Sequence, residues 1–365
     1  MEIIHLVLGK ANPNRLNGVN KVVYQMATEQ SKAGKKVSLW GITKKPEHDY
    51  PIRSFETRLF KASRNPFNIN RQLKIAIRQN SRAVFHLHGG WVPLFSSIAR
   101  FFRANGIRFV LTPHGAYNTV AMKKSSIVKK VYFQLFEKIL LNHAEKIHSI
   151  GASEVEGLQV IYPNNKSFLL PYGFEIPEQY ESTEKNKFFT IGYVGRLDTH
   201  TKGLDLLLKA FQVFRKTETD SVLWIIGDGP GRSYIEGFIK ENKLKNVILW
   251  GKKFGKEKDT LIAQMHVFAH PSRNEGMPSA VLEAASFGVP SIVSMATNVG
   301  NYIKDFDAGM AIANESVDEL EHSMHTIKQM YDNHQAEAYS ANCHRMLNET
   351  FGWQLLVHKF DELYQ

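Results

Sequence analysis

HPSRNEGMPSAVLEAASFGVP, residues 270–290, decides how this chain is read. It follows the apolar run Val267-Phe268-Ala269, which has the character of a buried strand. A helix is predicted to open near Pro278 and Ser279, since proline suits a first helical turn and serine can cap it. Gly288 and Pro290 close that helix, and Ser291-Ile292-Val293-Ser294 reads as the next strand. Two carboxylates then fall in different settings: Glu275 in the loop before the helix, Glu283 about one turn inside it. The helix N-terminus between them offers free backbone N–H groups and the positive end of a dipole, which together suit a phosphate. A carboxylate accepts both hydroxyls of a ribose diol, so Glu283 can fix a nucleoside while Glu275 faces what lies beyond the phosphates. The residues alone also fit a buried helix with two charges solvated at its ends.

The chain has 365 residues, enough for two domains with ample core. Hydrophobic residues make up 43% and charged ones 22%, as in ordinary soluble globular proteins. Cys343 is the only cysteine, which excludes an intrachain disulfide and a thiolate metal cage and fits a reducing, cytoplasmic setting. The start, Met1-Glu2-Ile3-Ile4-His5, lacks the pattern of a signal peptide, and no apolar run approaches the ~20 residues of a membrane span. Charge is uneven. Residues 1–175 hold 26 Lys and Arg against 10 Asp and Glu, a net of +16; the rest hold 20 against 25, a net of −5. A basic first half suits an anionic partner such as a membrane surface, a lipid diphosphate or an acidic glycan. Nucleic acid is disfavoured, because no basic–aromatic platform, zinc finger or helix-turn-helix is present.

Strand and helix patterns alternate from end to end, the mark of parallel sheets covered by helices. Ile3 to Leu8 and Val37 to Trp40 read as strands around a helix with Val19, Val22, Val23, Met26 and Ala27 on one face. Ala83 to His88 is a buried strand running into Gly89-Gly90-Trp91, and His86 and His88 share a face by alternation. H-x-H is a metal-ligand spacing, but no third and fourth ligand stands nearby in sequence, so no metal is assigned. Ile107 to Thr112 is a strand ending in Pro113-His114-Gly115. The segment 122–143 combines Lys123, Lys124, Lys129 and Lys130 with Ile127, Val131, Phe133, Leu135, Ile139 and Leu140. It fits a basic amphipathic helix on an anionic membrane, and equally a helix packed on the sheet with a solvated lysine face. The polar run 175–187 is the linker, and alternation restarts at Phe188 to Val194.

That strand leads into Gly195-Arg196-Leu197-Asp198 and Lys202-Gly203, where a glycine turn, two cations and a following helix fit a diphosphate clamp and equally two exposed surface cations. It is not a Walker loop. Gly227-Asp228-Gly229-Pro230-Gly231 after another strand is an isolated glycine pattern, weak support for a dinucleotide fold and hence for an NAD-dependent dehydrogenase. Asp305 and Asp307 read as surface charge. Trp353, Leu356, Val357, Phe360 and Leu363 form the apolar face of a last helix.

Glu275-x7-Glu283 within SRNEGMPSAVLEAASFGVPSIVS resembles the signature of the retaining, nucleotide-sugar-dependent glycosyltransferases of family 4, the glycosyl transferases group 1. Many of its members build bacterial surface polysaccharides. The Gly195-Arg196-Leu197…Lys202-Gly203 element and Pro113-His114-Gly115 are similar to the family's as well. At the family's Gly-Gly loop this chain has Asn17-Gly18, so only Gly18 carries over.

The resemblance implies an α/β chain of GT-B architecture, two Rossmann-like domains with parallel sheets facing across a cleft. Residues 1–177 with a returning helix at 350–365 would form the acceptor-side domain, and 178–349 the nucleotide-sugar domain. Trp353 would anchor the return. The reaction implied is retaining transfer of a sugar from a nucleotide sugar, a UDP-sugar being the expected donor. The acceptor is a hydroxyl of a glycan or lipid-linked glycan in O-antigen, capsule or exopolysaccharide synthesis. His114, Glu275, Arg196 and Lys202 are then catalytic. Gly18, Lys252, Gly276, Met277, Pro278, Ser279 and Glu283 join Arg196, Lys202 and Glu275 on the donor, with Lys252 towards the base. His86, His88 and Trp91 lie on the acceptor side. The resemblance implies no metal and no cofactor beyond the nucleotide sugar. The expected location is cytoplasmic, peripheral to the plasma membrane. A sugar-nucleotide epimerase or phosphorylase of the same fold is the alternative, and a non-catalytic nucleotide-sugar-binding protein a more distant one.

Overall fold

Near-continuous apolar runs belong to strands covered on both faces, and such strands pair in parallel with helices between them. In the computed structural model, which describes residues 1–12, 18–118, 126–177 and 183–365, the first seven strands form one parallel sheet. They are β1 (Glu2–Leu8), β2 (Lys36–Thr43), β3 (Glu56–Lys61), β4 (Val84–His88), β5 (Phe109–Thr112), β6 (Ile147–Ser149) and β7 (Ser167–Leu169). Their order is β3-β2-β1-β4-β5-β6-β7. A second parallel sheet holds β8 (Phe189–Val194), β9 (Ser221–Ile226), β10 (Val247–Gly251), β11 (Val267–His270), β12 (Ser291–Ser294) and β13 (Gly309–Ile312). Its order, β10-β9-β8-β11-β12-β13, repeats that of the first sheet. In both, strand order reverses once, beside β1 and β4 in the first and beside β8 and β11 in the second. At such a reversal the following loops diverge at the carboxyl ends of the strands and leave room for a ligand.

The chain divides into two units, Met1–Gly173 with Trp353–Gln365, and Phe174–Gly352. In the first, Trp40 packs on Phe60 and Phe85, and Phe85 on Phe102, all buried. In the second, Phe211, Phe214 and Leu207 of the helix Leu204–Phe214 fill one face of the sheet, and Val281, Leu282 and Ala285 of the helix Ser279–Ser286 the other. The linker run falls partly outside the described residues. Its described end is docked on the second unit, with Lys185 Nζ donating to the Ala263 carbonyl at 3.0 Å and the Asn186 amide to Gln264 O at 3.0 Å.

One expectation is corrected. The helix after the 270–278 loop has Pro278 at its N-cap and no side-chain cap, so Ser279 stands exposed in the first turn rather than capping it. The described part of the segment 122–143 is helical from Ser126 to His143, with a π-turn within it. Lys123 and Lys124 lie outside the described residues. The remainder is a helix Ser126–Tyr132, a π-turn Phe133–Glu137 and a helix Lys138–His143. The extra residue of a π-turn re-aims side chains, and here it sends the Glu137 carboxylate inward to accept the Trp91 amide at 2.7 Å and the Tyr117 hydroxyl.

The helix Trp353–Tyr364 belongs to the first unit. Its Trp353, Leu356, Val357, Phe360, Leu363 and Tyr364 are buried against Ile3, Val7, Val23 and Val110. A Cβ at Gly173 would stand 2.1 Å from the Trp353 ring, so only glycine admits that indole. Six buried side chains at ~1.5–3 kcal/mol each amount to roughly 10 kcal/mol, comparable to the stability of a whole domain. Ending the chain at Gly352 is therefore expected to abolish the calorimetric transition of the first unit and leave that of the second. Two unchanged transitions would show that this helix contributes little.

Candidate functional site

Glu275 is the centre of the best-defined polar cluster in the second unit. β11 ends at His270, and the loop that follows turns the Glu275 carboxylate back towards it. Glu275 Oε1 accepts from His270 Nε2 at 2.9 Å and from the Lys202 ammonium. Asn298 donates to the carbonyls of Glu275 and Gly276 at 2.8 and 3.0 Å, which fixes the loop backbone. His270 is stacked between Tyr193 and Phe268, with interplanar angles of 8° and 11°. Burial alone would push the Glu275 carboxyl up. Its hydrogen bond and charge contact with His270, and then the Lys202 ammonium, overturn that and hold it at about 2.

Lys202 reaches Glu275 because its loop, which leaves β8, is fastened to the loop leaving β11. Arg273 forks onto Asp205 at 2.8 and 2.9 Å and donates to the His200 carbonyl at 2.7 Å. Ser272 Oγ and the Arg273 amide both donate to Thr201 O. Gly203 sits at φ +65°, and a Cβ there would lie 2.0 Å from the Pro271 carbonyl oxygen. The Lys-Gly pair thus needs its glycine for a left-handed turn in contact with a neighbouring backbone. Gly227 answers to the same pressure: at φ +142°, its Cβ would stand 1.8 Å from the Gly195 carbonyl. The isolated glycine pattern therefore serves packing of the β9 loop under the β8 loop.

The other residues expected on the donor follow the carboxyl ends of β8, β10 and β11. Arg196 is largely exposed and pairs with Asp198 at 3.2 Å. Lys252, just past β10, is exposed and 3.4 Å from Asp228. Gly276, Met277, Pro278 and Ser279 carry the chain into the helix Ser279–Ser286, whose first N–H groups receive no side-chain cap. Glu283 projects from that helix and binds the Lys258 ammonium, which also lies 3.5 Å from Asp259. Sequence reasoning missed His270 as a partner of Glu275 and Lys258 as a partner of Glu283. A histidine closing a strand five residues before a loop carboxylate is a usable signal; Lys258, on a helix 25 positions away, offers none.

In the first unit Gly18 opens the helix Gly18–Lys32, and its neighbour Asn17 lies outside the described residues. His86 and His88 are fully buried on β4. His5 of β1 supplies the third imidazole that the H-x-H spacing does not reveal, and the three offer ring nitrogens within 4.8 Å of one another, close enough for a metal. Each of those nitrogens is nevertheless hydrogen-bonded to a protein partner. Trp91, at φ +60°, is held by Glu137 at its amide and by the Ala116 carbonyl at its indole N–H, 3.0 Å away. His114 follows β5 at φ +57°, with Nε2 3.0 Å from His88 Nδ1 and Nδ1 bonded to the Tyr172 hydroxyl. Burial pushes its ring down to about 3. Buried Glu154 stands behind this turn; burial pushes its carboxyl up to about 7 against the pull of the Ile150, Gly115, Tyr117 and Ala116 amides.

Comparison with known proteins bears on both units. Residues 175–345 match the family described as Glycosyl transferases group 1, and residues 16–175 match Glycosyltransferase Family 4. An uncharacterized glycosyltransferase of Haemophilus influenzae is 22% identical over 357 residues, 96% of each chain. The UDP-Gal:alpha-D-GlcNAc-diphosphoundecaprenol alpha-1,3-galactosyltransferase of Escherichia coli is 25% identical, over 79% of this chain and 76% of its own. Among solved structures, the lipopolysaccharide outer core galactosyltransferase WaaB in its apo form superposes with a TM-score of 0.73 at 16% identity. That likeness covers 100% of this chain and 99% of WaaB.

The paired Glu275 carboxylate makes stability depend on pH. Its folded pKa of about 2 lies below the ordinary 4.5. Its contribution is therefore complete above about pH 4.5 and lost as pH falls through about 2. The stability advantage of the wild type over Glu275→Gln is expected to be on the order of 3 kcal/mol near neutral pH and to shrink steadily below about pH 4.5. Urea midpoints across that range measure it, and a difference that does not change with pH would contradict the pairing.

Proposed function

The chain belongs to the glycosyl transferases group 1 family, and from that premise we propose a retaining transfer of a sugar from a nucleotide sugar to a hydroxyl of a glycan or lipid-linked glycan in surface polysaccharide synthesis. A UDP-sugar is the donor we assign, as for the galactosyltransferase relative, whose name specifies UDP-Gal. One observation carries the reading: Lys202, Glu275 and His270 meet where the strand order of the second sheet reverses, beside β8 and β11.

Negative charge develops on the departing diphosphate, and fixed positive groups aimed there lower the barrier. Arg196, Lys202 and the uncapped N–H groups of the helix Ser279–Ser286 are the groups we assign to this, without a metal. Lys202 and Glu275 satisfy one another, which orients the ammonium. A bound diphosphate competes for that ammonium and leaves an ionised carboxylate to grip the sugar and steady its positive transition state. Glu283 takes the ribose, and Lys252 is assigned to the base. His114 is the residue of the first unit that we carry into the reaction, as a contact to the transferred sugar.

Thermal shift against UDP, GDP, ADP, TDP, CMP and NAD tests the donor assignment. A ligand at 100 times its Kd stabilises by ~2.7 kcal/mol. UDP is expected to raise the melting temperature of the wild type but not of Glu283→Ala, and sugar transfer with acceptor present is expected to fall by orders of magnitude in Lys202→Ala. Stabilisation by NAD alone would point to a dehydrogenase. Sugar release or epimerisation without acceptor would point to the phosphorylase or epimerase alternative.

We also assign the helix Ser126–Tyr132 to an anionic membrane surface. Ile127 and Val128 are 77% and 73% exposed, and Val131 and Leu135 more than half, beside Lys129 and Lys130. A helix packed on the sheet with only lysines outward would not present these side chains. Among the described residues no helix is long and apolar enough to cross a membrane, so contact would be peripheral. Replacing Ile127 and Val131 together by serine is expected to weaken sedimentation with phosphatidylglycerol vesicles about tenfold or more, a loss of ~1.4 kcal/mol. Equal binding by the double variant would rule this face out.

A further inference from the structure

Nine hydrogen bonds in the first unit join five histidines into one continuous chain that ends on a backbone carbonyl. His148 Nε2 lies 2.8 Å from Leu170 O. A carbonyl only accepts, so His148 carries its proton on Nε2 and presents Nδ1 as an acceptor. The Thr112 hydroxyl, 2.8 Å away, must donate to that Nδ1. Having spent its proton, Thr112 accepts from His86 Nε2 at 2.5 Å. His86 Nδ1 therefore accepts from the Tyr364 hydroxyl at 2.9 Å. Tyr364 in turn accepts from Gln30 Nε2 at 3.0 Å, which directs Gln30 Oε1 to His5 Nε2 at 2.7 Å. His5 Nδ1 accepts from His88 Nε2 at 2.9 Å, His88 Nδ1 from His114 Nε2 at 3.0 Å, and His114 Nδ1 from the Tyr172 hydroxyl.

Every donor and acceptor on this path is used once, and the direction is the same at every step. The amide of Gln30 is the only member whose two ends differ chemically without a proton shift, and its orientation agrees with the direction set at Leu170. Burial keeps the rings uncharged: His5 and His148 are pushed down to about 4, His114 to about 3, and His86 and His88 well below the ordinary value. Neutral imidazoles with both nitrogens engaged are a poor metal cage, since a metal at His5, His86 and His88 would have to displace at least three of these bonds. The hydrogen-bonded chain is the better reading of the cluster.

We propose that this chain fixes His114 as the Nε2–H tautomer in one ring orientation, and that Tyr364, Gln30 and Thr112 are positioning residues for it although none of them touches it. The Leu170 carbonyl sets the direction, and each member passes it on. Tyr364 is decisive, because its lone pair faces Gln30 and forbids the amide from flipping its oxygen towards it. The link from His114 to catalysis rests on the function proposed above; the tautomer itself does not.

The test uses the full chain labelled with 15N at histidine and long-range 1H–15N spectra that report which ring nitrogen is protonated, with resonances assigned by single replacements. In the wild type all five histidines are expected as Nε2–H. In Tyr364→Phe, which removes one hydroxyl, Gln30 is free to flip, and His5, His88 and His114 are expected to gain the Nδ1–H form while His86 and His148 stay as they were. In Thr112→Val, His86 is expected to join the altered set and His148 alone to remain. A merely structural role for these residues would not produce this one-sided pattern. The proposal is overturned by Nδ1–H at any of the five in the wild type, or by an unchanged His114 in both variants while they melt like the wild type. Sugar-transfer assays on the same variants then address His114 itself. A fall in kcat at constant KM supports its catalytic assignment. Altered tautomers with unchanged turnover would refute that assignment and leave the positioning chain standing.

Discussion

An ionised carboxylate taken out of water persists only if partners replace the water it loses. Glu275 is such a group, and much of the second unit is arranged around that requirement. His270 comes from the end of β11 and Lys202 from the loop after β8, so the two loops must stay in register for both to reach one oxygen. Arg273, Ser272 and Gly203 keep them so, through a fork onto Asp205, a hydrogen bond to Thr201 O and a contact with Pro271 O too close for a Cβ, while Gly227 packs equally closely under the β8 loop at Gly195 O. The reversal of strand order beside β8 and β11 opens the space, and the carboxylate decides what is gathered there. A proposed donor site thus begins as a solution to a desolvation problem.

How much of this was legible in the sequence depends on distance along the chain. The 267–294 stretch could be read because strand, loop carboxylate, helix start and helix stop all lie within thirty residues, each marked by its own residue type. The Gly195 to Gly203 element was legible for the same reason, though the purpose of Gly203 became plain only once Pro271 stood opposite it. Partnerships across long separations left no trace: Lys258 with Glu283, His5 with His88 across 83 positions, His86 with Tyr364 across 278. β3 carried little signal as well, because an edge strand with only Phe60 buried lacks the apolar run that marks β4 or β11. The Gly227 pattern resembled a ligand loop because close backbone packing and close ligand approach demand the same residue.

The two units treat their polar interiors differently. The second uses ion pairs, where Lys202 and Lys258 meet carboxylates. The first buries Glu137, Glu154 and the Lys10 that pairs with Asp49 as well, but fills the centre between β1, β4, β5 and β6 with uncharged rings and hydroxyls. A chain of neutral hydrogen bonds has no net charge to desolvate, but each member constrains the next. Positional order is gained at the expense of tolerance, since one replaced hydroxyl is felt several residues away.

The helix Trp353–Tyr364 carries a consequence for how the protein is made. It belongs to the unit whose other residues end at Gly173, so residues 174–352 emerge from the ribosome between the two parts. At ~5–20 residues per second that interval lasts roughly 10–35 s. Throughout it, the β1 and β5 side chains Ile3, Val7 and Val110 lack their cover, and His86 lacks the Tyr364 hydroxyl. The nascent first unit must wait as an incomplete sheet with an apolar face open to chaperones and to neighbouring chains, while the second unit, contiguous in sequence, has all its parts. Synthesis order and folding order are inverted: the half translated first is the half finished last.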